Sequence, residues 1–291
     1  MTVEPETQTP QILDFERYES NIEQLSGQYQ TAQPFPHIVI DDFLEPEAAK
    51  AAMAEFPPLD QERWNNYIHV NERKFSNTDP SDWGPTLQRT LETLNSPRFV
   101  QFVGTLLGED DLIADPSLEG GGLHLSKAGG YLNIHADFTV HPHHRNWQRR
   151  ANIILYLNED WKPEYGGDIE LWATDMKECV RRVSPVGNRA LIFSTDATSF
   201  HGHPDPLRCP EGVARHSLAL YYFTVERDPL VRSTDYRPRP GDGARSVLIY
   251  LDKQVLRAYD WTKRRLGLSD QAASMLLRQR DRLRRKSSKE S

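Results

Sequence analysis

Apolar positions along this chain fall into short runs, and their period changes from helical to alternating and back. Residues 1–34 are polar and lack clear periodicity, which predicts a flexible N-terminal arm. Residues 37–44 (His37, Ile38, Val39, Ile40, Asp41, Asp42, Phe43, Leu44) read as a strand. Pro46 suits the first turn of a helix that runs to about Phe56, where Pro57 and Pro58 end it. Leu87, Leu91 and Leu94 at i, i+4 and i+7 predict a second helix over 85–95. Pro97 opens a third through Phe99, Phe102, Val103 and Leu106. From about 121 to 225 the runs become short, β-branched and bounded by turn residues. They cover 151–157, 168–172, 189–193 and 217–224. Strands at this spacing predict an antiparallel sandwich or barrel braced by the preceding helices.

Beyond Glu226 the chain turns polar and proline-rich, and 236–241 reads as a linker or surface loop. Two helices are predicted after it. One spans 244–266 with Leu248, Leu251, Val255 and Tyr259 on one face and Gly267 as its stop; the other begins after Ser269 and ends in a basic run from Arg278 to Lys286. The expected division is thus an arm (1–34), a main domain (35–226, core 121–226) and a C-terminal linker with helical extension (227–291). The fold class is mainly β with helices. The basic C-terminal helix fits either an anionic surface or, more simply, a solvated helix end.

Composition narrows the function. At 291 residues, 37% hydrophobic and 26% charged, the chain suits a globular protein with a substantial core. A net charge of −7 argues against general nucleic-acid binding. The two cysteines imply no disulfide framework. No basic-then-apolar leader and no membrane-length apolar run is visible, so a cytoplasmic protein without a membrane span is expected. Oligomeric state has no signature here.

The sharpest chemical signal is His135-Ala136-Asp137, followed by His201. Positions i and i+2 of a strand share a face, so His135 and Asp137 can converge on one ion. Two imidazoles and one carboxylate form the donor set of an open non-haem iron(II) site, which keeps positions for other ligands. His203 is the alternative to His201.

Several ordered pieces extend the signal. They are Tyr131-Leu132-Asn133-Ile134-His135-Ala136-Asp137, then residues 154–161 ending in Trp161, Gly166-Gly167-Asp168-Ile169-Glu170-Leu171-Trp172, residues 185–193, and Ser199-Phe200-His201-Gly202-His203 leading to Arg215. This set resembles the prolyl 4-hydroxylase-like branch of the 2-oxoglutarate- and iron(II)-dependent dioxygenases. The resemblance covers the middle third well, the N-terminal third loosely and the C-terminal extension not at all. It implies a distorted double-stranded β-helix (jelly-roll, cupin-like) with His135, Asp137 and His201 as metal ligands. It implies that Arg215 and Tyr156 receive the distal carboxylate of 2-oxoglutarate, a role that suits a planar guanidinium. The cofactor set it implies is Fe(II), 2-oxoglutarate and O2, with ascorbate as an accessory reductant. One departure is the 14-residue separation of His201 and Arg215 (201 to 215), longer than is usual in the family. A longer loop absorbs it.

Other residues carry both a functional and a structural reading. Tyr156 can be a core aromatic. His124, between Leu123 and Leu125, can face the pocket or solvent, and Tyr131 and Asn133 can line the pocket or only brace a strand edge. His203 can act behind the metal ligands or near the substrate. His141, His143 and His144 fit a solvated loop better than a second metal site. In the same segment Arg145, Trp147 and Arg149 could contact an acidic or sugar-like substrate. The glycine pairs 120–122 and 129–130 read as turns.

The resemblance thus implies hydroxylation of a C–H bond with release of succinate and CO2. No peptide-binding domain is evident and a cytoplasmic chain is expected, so a small-molecule or sugar-containing metabolite is the expected substrate. A peptidyl or prolyl hydroxylase is the alternative within the class. A non-catalytic β-barrel binding module is the alternative outside it, although all four key positions are filled. Asp137 also argues against halogenation, which needs a small residue there.

Overall fold

A computed structural model describes residues 11–59, 62–243, 246 and 249. The N-terminal part holds helices α1 (Phe15–Ser20) and α2 (Ile22–Thr31), strand β1 (His37–Ile40), α3 (Pro46–Ala54), a hairpin of β2 (Asn65–Ile68) and β3 (Glu72–Asn77), and then α4 (Pro85–Leu94) and α5 (Pro97–Leu107). Strands β4 (Ile113–Ala114), β5 (Gly122–Ser126), β6 (Tyr131–Ala136), β7 (Trp147–Tyr156), β8 (Ile169–Trp172) and β9 (Cys179–Val183) follow. The remainder is β10 (Arg189–Ser194), β11 (His201–His203), β12 (Arg215–Val225) and β13 (Asp235–Tyr236).

Strand pairing runs β1-β10-β7-β12-β5-β3-β6-β11-β8-β9, with β2 on β3, β4 on β12 and β13 on β6. Every named pair is antiparallel. The sheet folds over so that β7 and β12 on one wall face β6 and β11 on the other; a hydrogen bond from Asn152 to Asp137 crosses the gap. This is the distorted double-stranded β-helix, and the expected fold class holds.

Alternation along β7 decides which face does what. Ala151, Ile153 and Leu155 point to the main apolar core with Leu218, Leu220 and Tyr222 of β12, and helices α3, α4 and α5 cover that face through Ala52, Leu87, Phe99 and Phe102. Asn152 and Tyr156 point the other way, into the barrel. The helices begin where expected: Ser96 caps α5 through the Phe99 N–H, and Gly108 ends it in a left-handed conformation.

One expectation fails and another is refined. Residues 11–34 are not a loose arm but two packed helices. Asp14 caps α1, Tyr18 donates to the Phe43 carbonyl at 2.6 Å, and Tyr29 bonds Ser194 at 2.8 Å. A polar sequence hid these anchors: a few buried aromatic and aliphatic side chains (Tyr18, Leu13, Tyr29) hold the helices down, not a continuous apolar stripe. Of 236–241, read as a linker or surface loop, Tyr236 pairs with His135 of β6 and 238–241 carries no regular structure. Residues 230–237 form an added strap: the Leu230 N–H donates to Gln148 of β7, the Arg232 N–H to the Thr139 hydroxyl, and the Arg237 N–H to the Ile134 carbonyl of β6. The Thr139 hydroxyl in turn donates to the Leu230 carbonyl. Hydrogen bonds between backbones leave no hydrophobic pattern to read. The helices predicted over 244–266 and after 269, and the first ten residues of the arm, lie outside the described residues.

Candidate metal centre and its pocket

His135 and His201 are cross-strand partners on β6 and β11, and Asp137 follows just past the end of β6. One donor atom from each of the three residues lies within 4.8 Å of the others, the closest being His135 Nε2 to Asp137 Oδ1 at 3.4 Å and His201 Nε2 to Asp137 Oδ2 at 3.5 Å. Both rings are oriented the same way. His135 Nδ1 meets the Asn133 carbonyl and His201 Nδ1 the Ser199 carbonyl, each at 2.9 Å. A carbonyl can only accept, so each Nδ1 carries the proton and each Nε2 presents a lone pair to the cluster. This donor set fits a divalent transition metal.

The carboxylate is fixed from behind. Asn152 donates to Asp137 Oδ2 at 2.8 Å, and Arg149 Nη2 lies 3.0 Å from the same oxygen. Arg149 Nε in turn donates to Asn152 Oδ1 at 2.7 Å, and the guanidinium lies over the Tyr221 ring at 3.4 Å. Arg149 is buried, and its Nη1 makes no hydrogen bond. Burial alone would raise Asp137, but Arg149 and His201 outweigh it and hold the carboxyl well below its usual range. Burial, helped by His135, pushes His201 down to about 4, so its ring is neutral near pH 7.

Deeper in the barrel Arg215 is buried, donates Nε to the Gly167 carbonyl at 3.0 Å and Nη2 to the Tyr156 hydroxyl at 3.3 Å, and among the described residues has no carboxylate within ion-pair distance. Gly167 is needed for this approach: its φ is +80°, and an added Cβ would lie 2.5 Å from Leu207 and 3.2 Å from Arg215 Cδ. A buried guanidinium without a counter-charge is costly, which suits a site built for an anionic ligand. Burial lowers Arg215 and raises Tyr156.

The remaining sequence candidates separate. His124 faces inward: burial and then Lys74 push it down to about 3, and its Nε2 lies 3.2 Å from the Gly121 carbonyl. His203 is buried among Arg215, Lys74 and His135. Tyr131 and Asn133 spend polar groups on the turn between β2 and β3, reaching the Val70 carbonyl at 3.3 Å and 3.2 Å. Arg145 is exposed in the loop after β6. Trp147 stacks on His144 at 4.1 Å and packs against Phe223. Of the loop's cationic and aromatic residues, Arg149 is the one that reaches the metal cluster.

Sequence reasoning missed the polar wall on β3. Glu72 bonds Lys74 at 3.0 Å and His69 at 2.7 Å, while Lys74 Nζ lies 5.7 Å from the Tyr67 ring centre. Lys74 is raised: burial works against this, but Glu72 outweighs it, so it remains a cation. Asn152 was also missed. Its signal was an amide inside an apolar strand run, which must be bonded if buried. Tyr236, which the strap brings 5.4 Å from the His135 ring, had none.

Residues 121–223 match the sequence profile of the 2OG-Fe(II) oxygenase superfamily. The resemblance read from the motifs therefore stands over this segment, which is similar to 2-oxoglutarate- and iron(II)-dependent oxygenases. No curated protein matches the chain. Among solved structures, a Pseudomonas putida prolyl-4-hydroxylase is 20% identical, with 70% of this chain and 100% of that chain covered and a TM-score of 0.49. A Trichoplax adhaerens prolyl hydroxylase, solved with a peptide fragment of hypoxia inducible factor, is 15% identical over 72% and 91% with a TM-score of 0.51. HygX of Streptomyces hygroscopicus, solved with nickel, 2-oxoglutarate and hygromycin B, is 14% identical over 74% and 96% with a TM-score of 0.46. At 15% identity the likeness to the Trichoplax adhaerens enzyme is one of fold. Among the described residues no helix is long and apolar enough to cross a membrane.

Proposed function

We propose that this protein is a hydroxylase that holds Fe(II) through His135, Asp137 and His201 and binds 2-oxoglutarate with Arg215 and Tyr156. Its prime substrate is a small, polar or sugar-containing metabolite. The observation that carries the reading is the joint presence of two needs in one barrel: three converging metal donors, and a buried Arg215 that forms no ion pair with a carboxylate among the described residues. When bound, iron and the 2-oxo acid together activate O2, with loss of CO2 to give succinate and transfer of one oxygen atom to a C–H bond.

The chain's own residues bind, orient and shield. Asn152 and Arg149 hold Asp137 Oδ2, so that the carboxylate is fixed in place where it would serve as a metal donor. The two Nδ1–carbonyl bonds fix the ring planes. Ile169, Leu171, Leu191 and Phe193 form a dry cluster around Tyr156 and so keep water from the Arg215 end. The substrate reading is supported by the polar wall of Lys74, Glu72, Tyr67 and Tyr221 and by the unengaged Arg149 Nη1, donors and acceptors that suit a hydroxyl-rich molecule. Both cysteines are free thiols, which suits a reducing cytoplasm.

The test is succinate release from 2-oxoglutarate with Fe(II) and O2, run with pools of glycosylated and aminoglycoside-like metabolites against prolyl peptides. Stimulation by a polar metabolite with a mass gain of one oxygen supports the reading. Stimulation by the peptides alone overturns the substrate class, and no succinate under any condition overturns the reaction.

A further inference from the structure

His203 is a polar group whose own fold supplies no partner. The residue is only 5% exposed, and its buried Nδ1 has no hydrogen-bond partner. Its neighbours in the pocket are otherwise engaged. His124 is satisfied by the Gly121 carbonyl, Lys74 by Glu72, and His135 and His201 by the carbonyls behind them. Buried polar atoms are bonded in the great majority of cases, and those that are not commonly await a ligand or water.

The backbone sends this ring into the barrel. His201 pairs with His135 and His203 with Leu132, so three steps of β6 match two of β11, and the register shifts between them. Gly202 makes the fit possible: a Cβ there would lie 2.7 Å from the Leu132 carbonyl oxygen and 2.8 Å from that of Asn133. Alternation then places His203 on the same face as His201, about 7 Å further along the strand. The charges it feels are those of Arg215 first, then Lys74 and His135. His203 thus follows the metal donor His201 along β11 and lies within electrostatic reach of the Arg215 guanidinium.

We propose that His203 is a positioning residue for the 2-oxo acid, donating an N–H to the same distal carboxylate that Arg215 and Tyr156 receive. The inference rests on the oxygenase reading and deepens it. Either neutral tautomer of imidazole offers one N–H. A carboxylate that neutralises Arg215 brings acceptor oxygens to the neighbouring ring, so three donors from three strands (Tyr156 of β7, His203 of β11, Arg215 of β12) would converge on one anion. The consequence is discrimination: an oxo acid of the same length without the distal carboxylate leaves all three donors unmet.

The experiment is calorimetric binding to the Mn(II)-loaded protein without O2, using 2-oxoglutarate and 2-oxopentanoate, which share a chain length and differ in the distal carboxylate. In His203→Leu the Kd for 2-oxoglutarate should rise by about tenfold or more, as for a hydrogen bond to a charged group. The Kd for 2-oxopentanoate should stay unchanged, and His203→Gln should recover much of the loss. An equal loss for both acids would make His203 a shape-filling residue, and no loss for either would make it a water site; both results overturn the proposal. A second reading needs no variant. In wild-type protein carrying 15N-histidine and Zn(II), the His203 N–H resonance should shift with 2-oxoglutarate and not with 2-oxopentanoate, and equal responses overturn the proposal. Failure of wild type to bind 2-oxoglutarate at all overturns the oxygenase reading and this inference with it.

Discussion

Two histidine-rich regions lie within ten residues of each other, and only one gathers metal donors. At the cluster of His135, Asp137 and His201, each ring gives its Nδ1 proton to a backbone carbonyl and turns a bare Nε2 to the same point. In the loop that follows, His141 does the reverse. Its Nδ1 accepts the backbone N–H groups of His143 and His144 at 3.1 Å and 3.2 Å, and its Nε2 faces Asp115 Oδ2 at 3.3 Å. His144 is stacked on Trp147, and His143 lies 3.4 Å from Glu119. Both nitrogens of the buried histidine in that loop are therefore spent on structure. The number of histidines does not make a site; the direction in which their lone pairs are left does.

The contrast sets an order of effects. Asp137→Ala should cost the most, lowering Fe(II) affinity beyond the roughly 10–100-fold that loss of an outer partner brings; equilibrium dialysis under argon reads it. Arg215→Leu should leave metal binding intact and weaken 2-oxoglutarate by about 30-fold or more, as for removal of one partner of a buried charge pair. Asn152→Ala should loosen Fe(II) by about tenfold, within the range for an outer partner, with catalysis falling in step.

The structural histidines should behave otherwise. His141→Ala should cost about 2 kcal/mol of folding stability, because it removes one partner of Asp115 and leaves two loop N–H groups unmet, yet leave metal affinity per folded molecule unchanged. Urea unfolding of the apo protein beside metal titration separates the two effects. The smallest effect is one of pH. His216, stacked on Phe56 at 4.0 Å, is pushed down to about 4 by burial. Its unfolded form takes up a proton near pH 6.5, so between about 6.5 and 4 the unfolded state binds more protons and stability falls as pH falls. His216→Phe should flatten that slope by about 1 kcal/mol per pH unit at most, and an unchanged slope would remove His216 as its source.

What the sequence reveals tracks what makes each element stable. Strands β7, β8, β10 and β12 carry apolar runs because one face of each packs into a core, and all four are readable. Strand β3 faces the pocket with Glu72 and Lys74, so the residues that make it useful also erase its pattern. Strand β11 has three residues, too few for any period. The His-x-Asp pair was legible because its spacing is local. Asn152, Tyr236 and the tie of Arg149 to Asp137 were not, because each joins the site by a contact between strands remote in sequence, and no periodicity encodes that.

The most direct test is an anaerobic titration of the Fe(II)-loaded protein with 2-oxoglutarate, followed by the visible charge-transfer absorption of the chelate. We expect a band that saturates at one 2-oxoglutarate per chain, persists in the double variant His143→Ala/His144→Ala, and is absent in Asp137→Ala. A band that survives loss of Asp137, or vanishes with the loop histidines, would place the metal elsewhere and contradict the site described.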